Sequence, residues 1–444
     1  MSKDVADLRH RYAFQTSCGL SGLDYVEARI SFDHTSNLPK LYGADYLSQP
    51  IMGKTLPLQN NEIRAGMVLS WSKPDYKSTY ALVEEKKLLK KQFDIFYECL
   101  YAKDHTGKNL PYVGIDIAGS DTKSRPYDFA HIIRYAKAKN FENFTYHLAE
   151  DFFDLVDGLR AVDELLYHLD WNGKNRIGHA LSLFTDAKKY YQNRHLKIVM
   201  PVQMMLDNYA WLLKWADTLK ISLPANERAS IEKRMTELYN RFRIGNNVRK
   251  LPAWNLRDYQ QCMLLRGDDA IVPKVGMGSP DVYENTRYST KQRVKQAWAN
   301  PNSVMIHRYY KTEQSARTIG MKIETDSLPK CDEFIELIEK IQLRLRKRLQ
   351  SRAIKVESCP TSNYHIGNFE KYEDLPIVKC LMVDDEKDRI KASINTDARA
   401  IFDTSLDNEY ALMAIALHKK GIPFANIKKI LGISIRNSNN GIFR

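Results

Sequence analysis

Short runs of β-branched and apolar residues recur along the chain, and helical patterns separate most of them. Seven runs have the length of strands, at 24–32, 66–70, 112–117, 144–147, 176–179, 354–359 and 390–395. Between them, apolar residues at helical spacing predict a helix over 154–169, and Ser405 can cap a later helix that ends near Gly421. Alternating strands and helices predict an α/β fold with a parallel sheet, and seven units are one short of a (β/α)8 barrel.

One gap between predicted strands is too long for a single crossover. It separates the fifth and sixth runs, so residues 184–352 are predicted to form a largely helical insertion. An apolar stripe predicts a helix over about 331–350, whereas 267–330 carries loop-like residues and is predicted to be irregular. The expected division is therefore barrel over 1–183, insertion over 184–352 and barrel again over 353–444.

The formal net charge of +13 lies in the insertion. Residues 184–352 hold 31 Lys and Arg against 18 Asp and Glu, whereas the rest of the chain holds 36 of each. Such a charge can attract phosphates, nucleic acid or an acidic partner, although solvated helices with surplus lysine explain it equally well. Basic residues alternate there with rings that can stack on bases, at 188–191 and 308–311, which adds nucleic-acid contact as a third expectation.

The remaining composition is that of an ordinary globular protein. No stretch approaches 18 consecutive apolar residues, and the first residues, MSKDVADLRHRY, contain no apolar signal region. Six cysteines are scattered without a Cys-x-x-Cys pair, which favours free thiols over disulfides or a thiolate zinc site. We therefore expect a cytoplasmic protein that makes no membrane contact.

Candidate chemistry gathers at the ends of the predicted strands. In a parallel barrel these ends meet at one rim, and here they bring His147, Glu150, His179 and Asp397. Imidazoles and a carboxylate can hold a cation, and a second carboxyl can pass a proton. Each residue alone has a structural explanation: a histidine within a packed rim, a carboxylate at the start of a helix, or a cap. Only their joint order favours a site.

That order resembles the adenosine and AMP deaminase superfamily. YVGIDIAGSD (112–121), TYHLAED (145–151), RIGHA (176–180), SCPTSN (358–363) and SINTDARAIFDTSLDNEYALM (393–413) are similar, in order, to its signature segments. YVEAR (25–29) and AGMVLS (65–70) fit its second and third strands. The resemblance implies a TIM-type barrel that lacks its first βα unit and carries a long helical insertion after RIGHA.

The resemblance also implies roles for individual residues. His147 and Asp397 would bind zinc, Glu150 would pass a proton to the purine ring, His179 would orient and deprotonate the water on zinc, and the Gly119 backbone would touch the purine. Zinc-hydroxide attack on C6 of adenosine or an adenine nucleotide would then give an inosine-type product and ammonia.

The insertion and the HLAEDFFDLVDGLRAVDE stretch are most similar to large bacterial adenosine-deaminase-like proteins, including the deaminase component of RADAR phage-defence operons. This similarity implies a homo-oligomer with an ATPase partner subunit.

Two departures from the family pattern weigh against an active enzyme. The family's first strand supplies two zinc ligands as His-x-His, which this sequence lacks; His10 and His34 are single and wrongly placed. Ala398 stands where a second aspartate contacts substrate, which removes a hydrogen bond worth about 1–3 kcal/mol. The zinc site is therefore expected to be incomplete in this chain, as part of a longer protein, a split gene or a decayed copy. The alternative function is an inactive scaffold or a nucleotide- or nucleic-acid-binding subunit.

Overall fold

A fully parallel seven-stranded sheet forms the centre of the fold. The computed structural model describes residues 25–31, 64–73, 79–103, 107, 109–110, 112–244, 251–268, 292–367, 369–383, 389–397 and 399–443. Within them the strands are β1 (Tyr25–Ser31), β2 (Arg64–Ser72), β3 (Tyr112–Ala118), β4 (Phe144–Leu148), β5 (Arg176–His179), β6 (Lys197–Pro201), β7 (Ile323–Ser327), β8 (Lys355–Ser358) and β9 (Ala392–Ile394). The large sheet has the order β1-β2-β3-β4-β5-β8-β9, and every neighbouring pair in it is parallel.

The sheet curls on itself. Arg29 on β1 forms an ion pair with Glu357 on β8, although four strands lie between them in the sheet order. Two side chains can meet over that distance only when the sheet curves around its own interior, as it does in a barrel. The predicted TIM-type α/β fold is thus confirmed, and all seven predicted strands occur within two residues of their expected ends.

Helices connect the strands and cover the outside of the sheet. In chain order they are α1 (Thr79–Cys99), α2 (Ala130–Ala138), α3 (Leu155–His168), α4 (Ala187–Asn193), α5 (Val202–Leu219), α6 (Ala225–Ile244), α7 (Leu256–Leu265), α8 (Gln292–Trp298), α9 (Pro301–Thr312), α10 (Gln314–Gly320), α11 (Asp332–Ser351), α12 (Pro360–Ile366), α13 (Pro376–Leu381), α14 (Arg399–Phe402), α15 (Leu406–Lys419) and α16 (Phe424–Asn439). Their caps follow the sequence. Asp154 accepts a hydrogen bond from the Val156 amide at the start of α3, and Ser405 accepts one from the Asn408 amide at the start of α15.

Residues between β5 and β8 leave the sheet and return to it, because these two strands pair directly. This region contains α4 to α11, as expected, and also an antiparallel ribbon of β6 and β7. The prediction of an irregular 267–330 segment is wrong for its described part, which holds α8, α9, α10 and β7. Three helices of seven to twelve residues are too short for a clear periodic signal, and β7 (IETDS) exposes alternate side chains without an apolar face. The exact boundaries at 183/184 and 352/353 remain a prediction.

Buried ionic contacts attach the insertion to the barrel helices. Arg160 on the barrel helix α3 donates to Asn208 on α5 at 2.7 Å and forms an ion pair with Asp207 on α5 at 3.6 Å. Arg266, after α7, pairs with the same Asp207 from within the insertion. All four side chains are buried. The insertion and the barrel therefore share one packed interior, although their ionic contacts lie away from the rim residues.

Phe443 fills the end of the barrel opposite the predicted site. Its ring centroid lies 3.6 Å from the Arg176 guanidinium carbon, and its backbone amide donates to Glu27 at 2.8 Å. The residue is buried, and the ring occupies the space beside Gly114 on β3.

Among the described helices, none combines the length and apolar character that crossing a membrane requires.

Candidate metal and acid–base site

Three predicted site residues meet at one rim of the sheet. Ligand atoms of His147, His179 and Asp397 all lie within 4.8 Å of one another. His147 is at the end of β4, His179 ends β5, and Asp397 follows β9, so the carboxyl ends of three parallel strands deliver them. The two imidazole ring centroids are 5.0 Å apart. The convergence on which the sequence argument depended is therefore present.

His147 is oriented by a buried carboxylate. Its Nδ1 lies 3.1 Å from Oδ1 of Asp116, on the neighbouring strand β3. Burial lowers the pKa of His147, but the Asp116 carboxylate outweighs it and raises the pKa overall. In the neutral ring, a proton on Nδ1 satisfies Asp116 and leaves Nε2 with a free lone pair. Histidines that bind metals are commonly held this way, with the second ring nitrogen donating to a carboxylate.

Asp116 remains ionised although it is fully buried. Burial raises its pKa, but His147 and Arg29 together lower the pKa of Asp116 to about 2. Arg29 Nε lies 3.7 Å from one carboxylate oxygen, and Ser70 Oγ lies 3.4 Å from the same oxygen. Sequence reasoning did not give Asp116 a role. A carboxylate inside the apolar run YVGIDIA is itself a signal, because a buried charge requires a partner.

His179 has a different hydrogen-bond environment. Its Nδ1 lies 2.7 Å from the side-chain nitrogen of Asn363, in the SCPTSN segment. The Asn363 amide is oriented by its oxygen, which accepts from the Cys359 backbone amide at 3.3 Å. Nδ1 of His179 is thus an acceptor, and the proton of the neutral ring lies on Nε2. That nitrogen is buried and has no hydrogen-bond partner among the described residues.

Burial also decides the charge of His179. The surrounding protein, with additional repulsion from His147 and Arg29, lowers the pKa of His179 well below its ordinary value. The ring is neutral at physiological pH as a result. A neutral ring with its proton on Nε2 can donate to a molecule in the site, but it cannot bind a metal ion through that nitrogen.

Glu150 lies beside His179. One carboxylate oxygen is 3.2 Å from Nδ1 of His179 and accepts a hydrogen bond from Ser362 at 3.3 Å. Burial raises the pKa of Glu150 to about 7, and the nearby carboxylates of Asp397 and Asp121 add to this effect. A carboxyl group with this pKa exchanges protons readily at neutral pH.

The backbone at this rim adopts unusual conformations. His179 has a φ of +64°, Asp397 of +55° and Ala149, between His147 and Glu150, of +52°. Residues with a Cβ rarely occupy this left-handed region, and each instance costs about 1–3 kcal/mol. Gly119 at the end of β3 has a φ of +109°, which glycine tolerates. Such strain is maintained only where the surrounding structure fixes it, and here it coincides with the candidate site.

The donor set fits a transition-metal ion. Imidazole and carboxylate ligands suit Zn²⁺, and because Asp116 engages Nδ1 of His147, Nε2 is the nitrogen left to bind a metal in the group that includes Asp397. The polar, partly unpartnered interior around His179 Nε2 is a further indication that a ligand belongs there. Several residues of the sequence argument, namely His10, His34 and Ala398, lie outside the described residues. The predicted contact of Gly119 with a purine stays a prediction.

The basic insertion offers fewer stacking rings than its sequence indicates. Tyr191 and Tyr309 are buried, at 0% and 3% exposure, so neither ring is accessible to a base. Tyr190 and Tyr310 are only partly covered but pack against neighbouring rings. Nucleic-acid binding stays a prediction that would depend mainly on charge.

Comparisons with known proteins point to deaminases in part of the chain. Residues 320–437, which include Asp397, match the adenosine deaminase family model. Adenosine deaminases of Clostridium botulinum strains Hall and 657 are each 37% identical to this chain over 67 residues. These alignments cover 15% of this chain and 18% and 19% of the relatives, respectively, so the match spans under a fifth of their length.

One solved structure is also similar. It is an adenine deaminase from Arthrobacter aurescens, at 10% identity over 99% of this chain and 81% of that chain, with a TM-score of 0.37. A score this low supports no argument about function. Within residues 320–437 the chain is thus similar to adenosine deaminases, in agreement with the motifs that the sequence carries there.

Proposed function

We propose that this rim is the metal-dependent active site of a purine deaminase that acts on adenosine or an adenine nucleotide. The observation that carries the proposal is the convergence of His147, His179 and Asp397 within 4.8 Å, with Glu150 beside them. The match of residues 320–437 to the adenosine deaminase family supports the choice of reaction. A site with these groups would hydrolyse the amino group from C6, giving ammonia and an inosine-type product.

The hydrogen bonds of each residue indicate its role in metal binding, water orientation or proton transfer. His147, fixed by Asp116, and Asp397 would hold a zinc ion, which when bound lowers the pKa of water and polarises the reacting centre. His179 would orient the attacking water by donating from Nε2, since Asn363 occupies its other nitrogen. A ring that carries its proton on Nε2 cannot also deprotonate that water, so this part of the predicted role passes to Glu150 in the proposal. Glu150 would accept a proton from that water and deliver it to a ring nitrogen of the purine, a task that suits a carboxyl with a pKa of about 7.

We further propose that the zinc site needs ligands from outside the described residues. Catalytic zinc sites commonly use three protein ligands and one open position. The hydrogen bonding of His179 favours a donor over a ligand, so the described residues provide two ligands, His147 and Asp397. The shortage also favours a second candidate function, in which the subunit binds a nucleotide without turnover and serves an assembly.

A deaminase assay on protein loaded with zinc tests the proposal. Adenosine, deoxyadenosine and AMP would each be followed by the absorbance change from adenine to hypoxanthine. Glu150→Gln should retain zinc and lower kcat about 100-fold or more, because the side chain can no longer transfer a proton. Glu339→Gln, a change on the exposed face of α11, is the matched control and should leave kcat unchanged.

The same experiment distinguishes the two candidate functions, deamination and nucleotide binding without turnover. If zinc-loaded protein gives no inosine-type product from any of the three substrates, the deaminase proposal is wrong. Calorimetric binding of adenosine or AMP under those conditions would then favour the non-catalytic subunit. Sedimentation of the protein, alone and with a candidate ATPase, would test the homo-oligomer and the partner that the RADAR resemblance implies.

A further inference from the structure

A buried lysine lies directly behind the candidate site. Lys73 follows β2, and its side chain has no solvent exposure. Its ammonium group donates to the backbone carbonyl of His147 at 2.7 Å and forms an ion pair with Asp121. The ammonium also lies 4.9 Å from the centroid of the Tyr146 ring. A cation this deep requires compensation, and all of it comes from residues next to the rim.

Asp121 links the Lys73 ammonium to the backbone of Glu150, the second functional residue of this segment. Its second carboxylate oxygen accepts the backbone N–H of Glu150 at 3.1 Å. Its own backbone N–H donates to Asp151 at 2.8 Å. One buried ion pair thus binds the segment 147–150 at both ends, by the carbonyl of His147 and the amide of Glu150.

This segment needs such a restraint. β4 ends at Leu148, and Ala149 then takes a φ of +52°, which an alanine adopts only under constraint. The conformation turns the chain so that the His147 and Glu150 side chains both reach His179. Without the two backbone hydrogen bonds, the turn would relax, and the distance between the His147 imidazole and the Glu150 carboxyl would change.

We propose that Lys73 and Asp121 are positioning residues that set the relative placement of His147 and Glu150 through the backbone. The inference rests on the proposed function. Neither side chain is available to bind a substrate, since the Lys73 side chain is wholly enclosed and the Asp121 carboxylate is occupied by Lys73 and the Glu150 amide. The competing explanation is a purely structural ion pair that anchors β2 to the loop after β3. Buried pairs of that kind contribute little net stability, so stability alone cannot distinguish the two.

The test compares two buried ion pairs. Lys73→Met/Asp121→Asn removes the pair behind the site, and Arg266→Met/Asp207→Asn removes the buried pair in the insertion. Both double variants eliminate one cation and one carboxylate together, which avoids an unpaired charge. For each protein, zinc affinity is measured by competition with a chromophoric chelator, kcat and KM with adenosine, and stability by urea unfolding.

The site pair should affect function selectively. We expect zinc affinity to fall about 10–100-fold in Lys73→Met/Asp121→Asn, the loss typical of residues that orient metal ligands. We expect kcat to fall by at least about 10-fold, with KM changed by less than about 3-fold, because chemistry depends on placement more than substrate binding does. The single variant Lys73→Arg keeps a cation that can donate to Asp121 and to the His147 carbonyl. Its zinc affinity and kcat should therefore stay much closer to wild type than those of the double variant. Arg266→Met/Asp207→Asn should keep wild-type zinc affinity and kcat.

Three results would overturn the inference. Wild-type zinc affinity and kcat in Lys73→Met/Asp121→Asn would show that the pair positions nothing. Equal losses in both double variants would show a general effect of lost stability. Wild-type protein that binds no zinc would overturn this inference and the proposed function together. Zinc binding without deamination overturns only the proposed function, while the zinc-affinity comparison still decides the role of the pair.

Discussion

Asn363 places its side-chain nitrogen 2.7 Å from Nδ1 of His179, while its oxygen accepts from the backbone amide of Cys359. The amide cannot rotate by 180° without setting two donors against each other at Cys359. Asn363 therefore favours the neutral His179 tautomer with the proton on Nε2, and the Glu150 carboxyl 3.2 Å from Nδ1 is compatible with that tautomer when it carries a proton. This assignment separates the two histidines of the site: His147 presents a lone pair, and His179 presents a hydrogen.

Exchanging the amide for a carboxylate should reverse that tautomer. Asn363→Asp would accept a hydrogen from Nδ1 of His179 and leave Nε2 unprotonated. We expect kcat to fall about 10-fold or more, since the water would lose its donor. Long-range 1H–15N spectra of the histidine rings, assigned with His179→Ala, would show the change directly. The same His179 tautomer in wild type and variant would contradict the assignment.

The tautomers also predict which histidine binds the metal. His147→Ala and Asp397→Ala each remove a proposed ligand and should weaken zinc binding more than about 100-fold. His179→Ala removes only a donor near the metal and should change zinc affinity less than about 10-fold. Zinc content after dialysis and chelator competition would measure this, with His418→Ala on the exposed face of α15 as the control. Loss of zinc from His179→Ala equal to that from His147→Ala would make His179 a ligand.

The strands of the barrel were predictable because buried parallel strands have a simple signature. Their short apolar runs are bounded by turn-forming residues, and each of the seven runs became a strand of the sheet. The ribbon of β6 and β7, held by backbone pairing between Lys197–Pro201 and Ile323–Ser327, escaped prediction. β7 has no apolar face, so no pattern marks it, whereas the apolar run at 198–200 in β6 is a strand signal that the prediction missed.

The site was predictable only in part. His147, His179 and Asp397 were found because barrel topology brings strand ends together. The residues that determine their chemistry received no role, although Asn363 ends the predicted SCPTSN motif, since they act through contacts between distant segments. Asn363 is 184 positions from His179, and Lys73 is 74 positions from His147. Pairings of this kind follow from the curvature and register of the sheet, which a single sequence does not contain.

Phe443 and Gly114 form a packing pair that a double-mutant cycle can measure. A Cβ on Gly114 would lie 2.5 Å from the Phe443 ring, so the glycine makes room for it. Phe443→Ala should destabilise by about 3–5 kcal/mol through the lost ring, and Gly114→Ala by about 1–3 kcal/mol through overpacking. In the double variant the new methyl group enters space that the ring has left. Urea unfolding should therefore give a combined loss smaller than the sum, whereas strict additivity would contradict the packing.

Asp154, the cap of α3, should make stability depend on pH. Burial raises the pKa of Asp154 from 3.8 to about 6, despite hydrogen bonds from Tyr191 and the Val156 amide. The folded protein thus binds a proton here more tightly than the unfolded chain, so stability from this group is lost as pH rises from about 4 to 6. The difference in pKa corresponds to about 3 kcal/mol.

Asp154→Asn has no titrating group and keeps a capping oxygen. The free energy of unfolding of Asp154→Asn minus that of wild type should therefore increase by about this amount between pH 4 and pH 7, as measured by urea unfolding across that range. A difference that stays constant with pH would mean that Asp154 titrates alike in the folded and unfolded chain.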